Sequence, residues 1–480
     1  MSTSLHDRLQ RLRRPSPPSE AGLEAPDVAD APTAGSAAPL AGLERLESEL
    51  LTVGGTADHE TLSLKARLER LVAAAAVKER ERRRAPLPVP LEELVDGMRV
   101  LNERGEFFRV DSSVHLEQRH GDVPLSRMHA IAPPTVGVLT GDPQLEGFDL
   151  RRAVFLDTET TGLAGGTGTA AFLIGLGWVE GERFRVRQYF MRDYHEEAAL
   201  LDGVAGELLR FERVVTFNGK MFDLPLLDSR FRLNRSRFPL AGATHLDLLH
   251  PARRLWKRRL ESCRLQSLEA ALLGLRRDGD IPGDQIPQVY FDWVRRRDAR
   301  ALARVFEHNR QDIVSLAALA VLACRWVEER LAEDPRDVFS LARVLERSRQ
   351  FESSEAEYRR ALEIGAGPLR GPALLRLAWR AKRKGALERA EALWREAGEA
   401  GEPEAWRELA MHHEHRSRDL RAALAAVESG LALVDDRRQR DLRCWHLAEG
   451  FERRRERLRR KASRSPAAGS RRGPGSAPAS

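Results

Sequence analysis

Four carboxylates and one histidine are spaced along this chain in a way that could do chemistry. The first two close the run Ala153, Val154, Phe155, Leu156, Asp157, Thr158, Glu159, Thr160, Thr161 and Gly162. An apolar, β-branched and aromatic segment bounded by glycine reads as a buried strand. Residues two apart on a strand share a face, roughly 6.6 Å apart along the chain. Asp157 and Glu159 therefore point the same way at the carboxyl end of a hydrophobic strand. Two acids so placed repel each other unless a cation sits between them, and carboxylate oxygens suit hard cations such as Mg²⁺ or Mn²⁺. Taken alone, the pair fits equally well a strand that ends in a polar turn, so partner acids downstream decide the matter.

Two further stretches supply them. Asn218, Gly219, Lys220, Met221, Phe222 and Asp223 follow an apolar strand over 213–217, so Asp223 falls just past a strand end, where open α/β sheets place functional groups. His308 and Asp312 lie in a helical stretch at i and i+4 and share a face. Each has an ordinary structural alternative: Asp223 as a helix N-cap, His308 and Asp312 as a surface pair. All three patterns on one α/β unit make a joint site the better reading.

The elements that position these groups follow from periodicity. From 152 to about 328 the chain alternates strands and helices: strands at 152–158, 170–178, 184–191, 213–217 and 244–249, with helices at 195–210, after Pro225, and over 264–274, 288–297 and 299–328. This predicts an α/β fold with a mixed five-stranded sheet flanked by helices. The small-residue loop 164–169 lacks the Lys-Ser/Thr of a phosphate-binding P-loop. Upstream, 1–40 is rich in Pro, Ser and Ala and reads as disordered. Residues 41–94 read as helical, and 95–150 as a small β-rich lead-in with a hairpin turned at Gly105. Downstream of the α/β unit (151–330), Leu341-Ala342, Leu377-Ala378 and Leu409-Ala410 recur at spacings of 36 and 32 residues. That predicts tetratricopeptide-like paired helices over 335–462, before a tail at 463–480.

At 480 residues there is length for two or three domains. No apolar run approaches the ~18 residues of a membrane span. The Arg-bearing N-terminus has no apolar segment after it, and Asp7, Glu20 and Glu24 argue against a mitochondrial-type presequence. Three scattered cysteines offer neither a disulfide framework nor a CxxC site, which suits a cytoplasmic protein. The net charge of +7 is concentrated. One cluster is Arg253, Arg254, Lys257, Arg258, Arg259 and Arg264, with Trp256 inside it. A phosphate backbone needs such cations, and an interleaved aromatic can stack a base or serve the core. A second cluster, from Arg453 to Lys461, reads as a solvated helix face. His245, Asp247 and His250 form another candidate set, of zinc-ligand type, unless Asp247 orients its neighbours.

The stretches Phe155–Thr169, Phe217–Asp223, His245–Arg254 and His308–Asp312 together resemble the DEDD exonuclease superfamily on the ribonuclease H-like fold. More closely, the chain resembles the YprB-type ribonuclease H-like domain proteins, over roughly 95–330 and loosely through the repeats. The resemblance implies that Asp157, Glu159, Asp223 and Asp312 hold two divalent ions, Mg²⁺ or Mn²⁺. It implies that His308 orients or deprotonates the attacking water. Thr158, Thr160 and Gly162 would line the terminal nucleotide, with Asn218, Phe222, Arg253 and Arg254 also toward substrate. In the superfamily the last motif is Y-x3-D or H-x4-D; this chain has histidine at the tyrosine spacing. The implied activity is 3′–5′ exonucleolytic hydrolysis of single-stranded DNA or RNA, with the repeats meeting a protein partner and no membrane involved. The alternatives are a catalytically silent nucleic-acid-binding module and a repeat-based scaffold.

Overall fold

A computed structural model describes residues 87–162, 168–435 and 442–464. The expectations for 1–40, most of 41–94, much of the 164–169 loop and 465–480 lie outside the described residues.

The described chain opens with α1 (Leu91–Leu94), the hairpin β1 (Met98–Asn102) and β2 (Gly105–His115), the short pair β3 (Arg119–His120) and β4 (Val123–Pro124), and α2 (Thr135–Thr140). The strands β5 (Val154–Thr160), β6 (Ala171–Glu180) and β7 (Arg183–Phe190) follow. Then come α3 (Glu197–Leu208), β8 (Arg213–Thr216), α4 (Asp223–Leu233), β9 (Thr244–Asp247) and α5 (Leu249–Trp256). The short α6 (Leu265–Leu268) runs into a π turn, and α7 (Ile286–Arg296) leads to the 30-residue α8 (Arg300–Glu329).

The main sheet has seven strands, in the order β1-β2-β7-β6-β5-β8-β9, rather than five. The two extra strands are the lead-in hairpin: β2 pairs antiparallel with β7 from Phe108↔Phe190 to His115↔Arg183. That strand-to-strand partnership is non-local, so no local pattern discloses it. The sheet is mixed, as expected. β5 runs antiparallel to β6 and parallel to β8, and β8 parallel to β9.

β5 is an interior strand, next to the middle one, and is covered on both faces. Val154, Phe155 and Leu156 are each 0% exposed. Burying a side chain of that size contributes about 1.5–3 kcal/mol. Alternation puts Phe155, Asp157 and Glu159 on one face and Val154, Leu156 and Thr158 on the other. The α8 helix lies across the first face. It can approach because Gly177 and Gly175 stand opposite Phe155 and Asp157 on β6. A Cβ on Gly175 would come within 2.3 Å of Asn309 Oδ1, and one on Gly177 within 2.4 Å of Ile313 Cγ2.

Beyond α8 the chain is helical: α9 (Pro335–Arg347), α10 (Phe351–Glu363), α11 (Arg370–Arg383), α12 (Leu387–Glu399), α13 (Pro403–His412), α14 (Leu420–Asp435) and α15 (Leu442–Arg464). The recurring Leu-Ala pairs sit buried in α9, α11 and α13, the first helices of successive pairs. This region is not a loose appendage. Residues of α8, α5, α9 and α10 share one apolar core, and the Arg259 guanidinium pairs with buried Asp337.

Candidate active site

The carboxyl end of β5 is where four elements meet. β5 delivers Asp157 and Glu159 toward α8, while α8 returns His308, Asn309 and Asp312. Asp223 begins α4, and the irregular segment between α6 and α7 brings Arg277 and Asp280. Asp157 Oδ2 accepts from Asn309 Nδ2 at 2.9 Å. Asn309, 0% exposed, in turn accepts at Oδ1 from Gln188 Nε2 at 2.9 Å, so a chain of amides across β7 and α8 fixes the first acid. Asp223 Oδ1 accepts from Thr158 Oγ1 at 2.5 Å. Thr158 thus faces the α4 side and holds Asp223; its hydroxyl is engaged there rather than offered toward a nucleotide. Thr160 Oγ1 donates to the Gly162 carbonyl at 2.8 Å, closing the strand end.

The turn that presents Asp223 has its own support. Asn218 adopts a left-handed φ of 67°, an uncommon conformation outside glycine. The carboxylate of Asp247, on neighbouring β9, accepts from the backbone N–H groups of Asn218 at 2.8 Å, Lys220 at 3.1 Å and Leu249 at 3.1 Å. Asp247 therefore orients its neighbours. His245 Nε2 lies 2.8 Å from Thr216 Oγ1, and the 245–250 set is not among the described residues that cluster as metal ligands. At Gly219 a Cβ would sit 2.5 Å from Thr216 Oγ1, so this turn needs glycine. Met221 and Phe222 are 69% and 52% exposed beside Asp223, apolar surface that the fold does not use.

His308 is held between acids. Its Nδ1 is 2.8 Å from Asp280 Oδ1, while Nε2 faces Asp312 Oδ2 at 3.5 Å and Glu159 Oε1 at 3.8 Å. Burial alone would raise the pKa of Asp280, but the His308 hydrogen bond and charge outweigh it and the net shift is downward. An ionised Asp280 only accepts, so the proton on that edge belongs to Nδ1, and Nε2 is the nitrogen turned toward Glu159 and Asp312. The Arg277 guanidinium pairs with Asp312, with Asp280 at 3.3 Å and with Glu269, whose side chain is 2% exposed.

Electrostatically the four acids are strained. Burial pushes the pKa of Asp157 well up, and the charges of Asp312, Glu159 and Asp223 add to it. Burial does the same to Glu159, reinforced by Asp312, Asp223 and Asp280. Asp223 rises to about 6, again by burial, against the Thr158 hydrogen bond. Burial also raises Asp312, against Arg277 and His308. Oxygen-rich, crowded and only partly compensated, the set fits hard divalent cations. Glu159, His308 and Asp312 offer ligand atoms within 4.8 Å of one another.

The remaining expected residues lie elsewhere. Trp256 is 0% exposed and packs edge-on against Trp326 at 5.4 Å, so of its two readings the core one holds. Arg254 donates to the Thr140 carbonyl at 2.6 Å, and Arg253 is exposed beside it on α5. Sequence reasoning missed Asn309, Arg277, Glu269 and Asp280. Asn309 lies inside the His308–Asp312 stretch and carries a polar signal on a helix whose next turns are apolar. The other three carry none.

A protein-family model of the RNase H superfamily matches residues 154–324, the segment from β5 to α8. The chain is 30% identical over 325 residues to the uncharacterized protein YprB of Bacillus subtilis (strain 168), an alignment covering 66% of this chain and 78% of that protein. No helix among the described residues is long and apolar enough to cross a membrane.

Proposed function

The chain belongs to the YprB family of RNase H-superfamily proteins, and we propose that it is a DEDD-type, metal-dependent exonuclease acting 3′ to 5′ on single-stranded DNA or RNA. The observation that carries the proposal is the convergence of Asp157, Glu159, Asp223 and Asp312, from three elements, at the carboxyl end of β5, where the charges of Asp223 and Asp312 raise the proton affinity of both Asp157 and Glu159. Such a cluster is costly without cations. Asp157, Glu159, Asp223 and Asp312 would hold two Mg²⁺ or Mn²⁺ ions. What bound divalent ions supply is Lewis acidity toward a water and toward the phosphoryl oxygens. The chain's own contribution is placement. Asn309 and Thr158 fix the planes of Asp157 and Asp223. His308 Nε2 receives a proton from the attacking water, with Asp280 holding the imidazole by its other nitrogen. Met221 and Phe222 give the terminal base an apolar surface, with Thr160, Gly162 and Asn218 around it. The C-terminal helices are tetratricopeptide-like and meet a protein partner in the cytoplasm.

One observation favours the silent, binding-only alternative: Arg277 already neutralises part of Asp312. Strands labelled at the 5′ or 3′ end, of DNA and of RNA, incubated with Mg²⁺ or Mn²⁺, decide the matter. Mononucleotide release from the 3′ end supports the proposal. Internal cuts, or binding without cleavage under every condition, overturn it.

A further inference from the structure

The joint between the α/β unit and the helical region contains a cavity of about 710 Å³, within the range of ligand sites. Arg253, Arg254, Lys257 and Arg258 line it from α5 and the turn that follows. Arg343 and Arg347 line it from α9, and Arg376 from α11. Seven cations thus face one carboxylate, Glu346. That carboxylate is already shared by the Tyr358 hydroxyl at 2.9 Å, Arg376 at 3.5 Å and Arg343 at 3.9 Å. A second cavity of about 250 Å³ shares Arg258, Arg343 and Arg376 with the first and adds Trp379. The two form one groove across the joint.

Two of the cations are held in place by rings. Arg258 lies over Phe339 at 5.1 Å and Arg376 over Trp379 at 4.9 Å, so both guanidinium planes are fixed on rings. They also repel one another. Burial, then Arg347, holds Arg254 below its ordinary pKa, and burial, then Arg343, does so for Arg258. The second basic cluster provides the contrast. There buried Glu414 takes Arg454, Arg457 and Lys461, and Glu428 takes Arg455 and Arg459. Similar runs of positive charge in the sequence are largely compensated in one place and less so in the other. Seven crowded cations around the single carboxylate of the larger cavity match a chain of phosphates.

We propose that the groove across the joint of α5, α9 and α11 is a second nucleic-acid site, holding the phosphodiester backbone of a strand beyond the residues at the acidic pocket. This rests on the nucleic-acid substrate proposed above. It makes the helical region part of the substrate path. Recognition there is electrostatic and independent of base sequence.

The test measures anisotropy of 5′-labelled single-stranded oligonucleotides of 8 and 24 residues, in EDTA to prevent cleavage, at several salt concentrations. The full chain is compared with Lys257→Ala/Arg343→Ala/Arg347→Ala, three exposed positions, and with Arg453→Ala/Arg459→Ala in the compensated cluster. The groove variant should bind the 24-mer at least tenfold more weakly. Its log K against log salt slope should be shallower by about 2, from ~0.7 per phosphate contact on single strands. The second variant should match wild type. Unchanged 24-mer affinity and slope in the groove variant, or an equal loss in the second variant, would overturn the proposal. So would tripolyphosphate binding that the groove substitutions abolish while oligonucleotide binding is unmoved. Unaltered thermal midpoints show that the variants are folded, and single Lys257→Glu serves if the triple variant is not. Binding through the groove by a wild type that never cleaves would sink the nuclease reading alone. Cleavage with an unmoved slope would sink the groove alone.

Discussion

Asp280 shows how a site is tuned by residues that carry no motif. Its carboxylate bonds His308 Nδ1 at 2.8 Å and so decides which nitrogen faces the pocket. Asp280→Asn keeps the shape and loses the charge. Partners of this kind cost 10–100-fold when replaced. Turnover should therefore fall by about that factor with KM little changed, and the acid limb of the pH–rate profile should move; an unmoved profile would remove Asp280 from the account. Arg277 makes a second prediction at this scale. Arg277→Met leaves Glu269, 2% exposed, and Asp312 without their cation. Removing one partner of a buried pair costs about 3–5 kcal/mol. Chemical unfolding of the metal-free protein should show that loss, and saturating Mg²⁺ should recover part of it if Asp312 is a ligand. The four acids and His308 were readable because strand and helix spacing carry them. Arg277 and Asp280 were not, because the segment 274–285 has no period and its partners on α8 are 28 to 35 residues away.

At the scale of elements, the approach of α8 to β5 and β6 sets the site. The helix lies close because β6 carries Gly175 and Gly177 where it crosses. Gly175→Ala would drive a methyl to 2.3 Å from Asn309 Oδ1, whose amide holds Asp157. The expected result is a folded protein with a lower thermal midpoint and cleavage reduced by more than tenfold, because a displacement near 1 Å can cost 10²-fold. Cleavage at the wild-type rate would mean that the Asn309–Asp157 bond has no part in the reaction. The glycines were visible in the sequence, but nothing local says which helix crosses them. The hairpin β1–β2 teaches the same lesson: its own turn at Gly105 was legible, while its pairing with β7, which takes the sheet from five strands to seven, was not.

For the whole molecule, the acids predict how stability depends on pH. Their folded-state pKa values lie above the unfolded ones, with Asp223 at about 6 against roughly 4. The folded state then holds the extra protons, and the contribution of Asp223 is most favourable below about pH 4 and is lost as pH rises through about 6. His120 and His245 oppose this. Burial lowers each to about 4, so both favour the folded state above roughly pH 6.5 and lose that advantage as pH falls. The difference between wild type and Asp223→Asn isolates the acids. In EDTA the variant's advantage in thermal midpoint should widen from pH 5 to pH 8, and a constant difference would contradict the electrostatic description. Charge at this scale was only half legible. Two basic clusters look alike in sequence, and only the fold shows that Glu414 and Glu428 neutralise one of them.

The most direct test of a cation-dependent cleavage site is one substitution read in two ways. Asp157→Asn keeps an acceptor for Asn309 and removes one of four crowded charges. Measured side by side with wild type, Mn²⁺-dependent degradation of single strands should disappear while the thermal midpoint in EDTA rises. Cleavage that persists, or a midpoint that falls, would contradict a site in which Asp157 destabilises the empty protein in order to hold a catalytic ion.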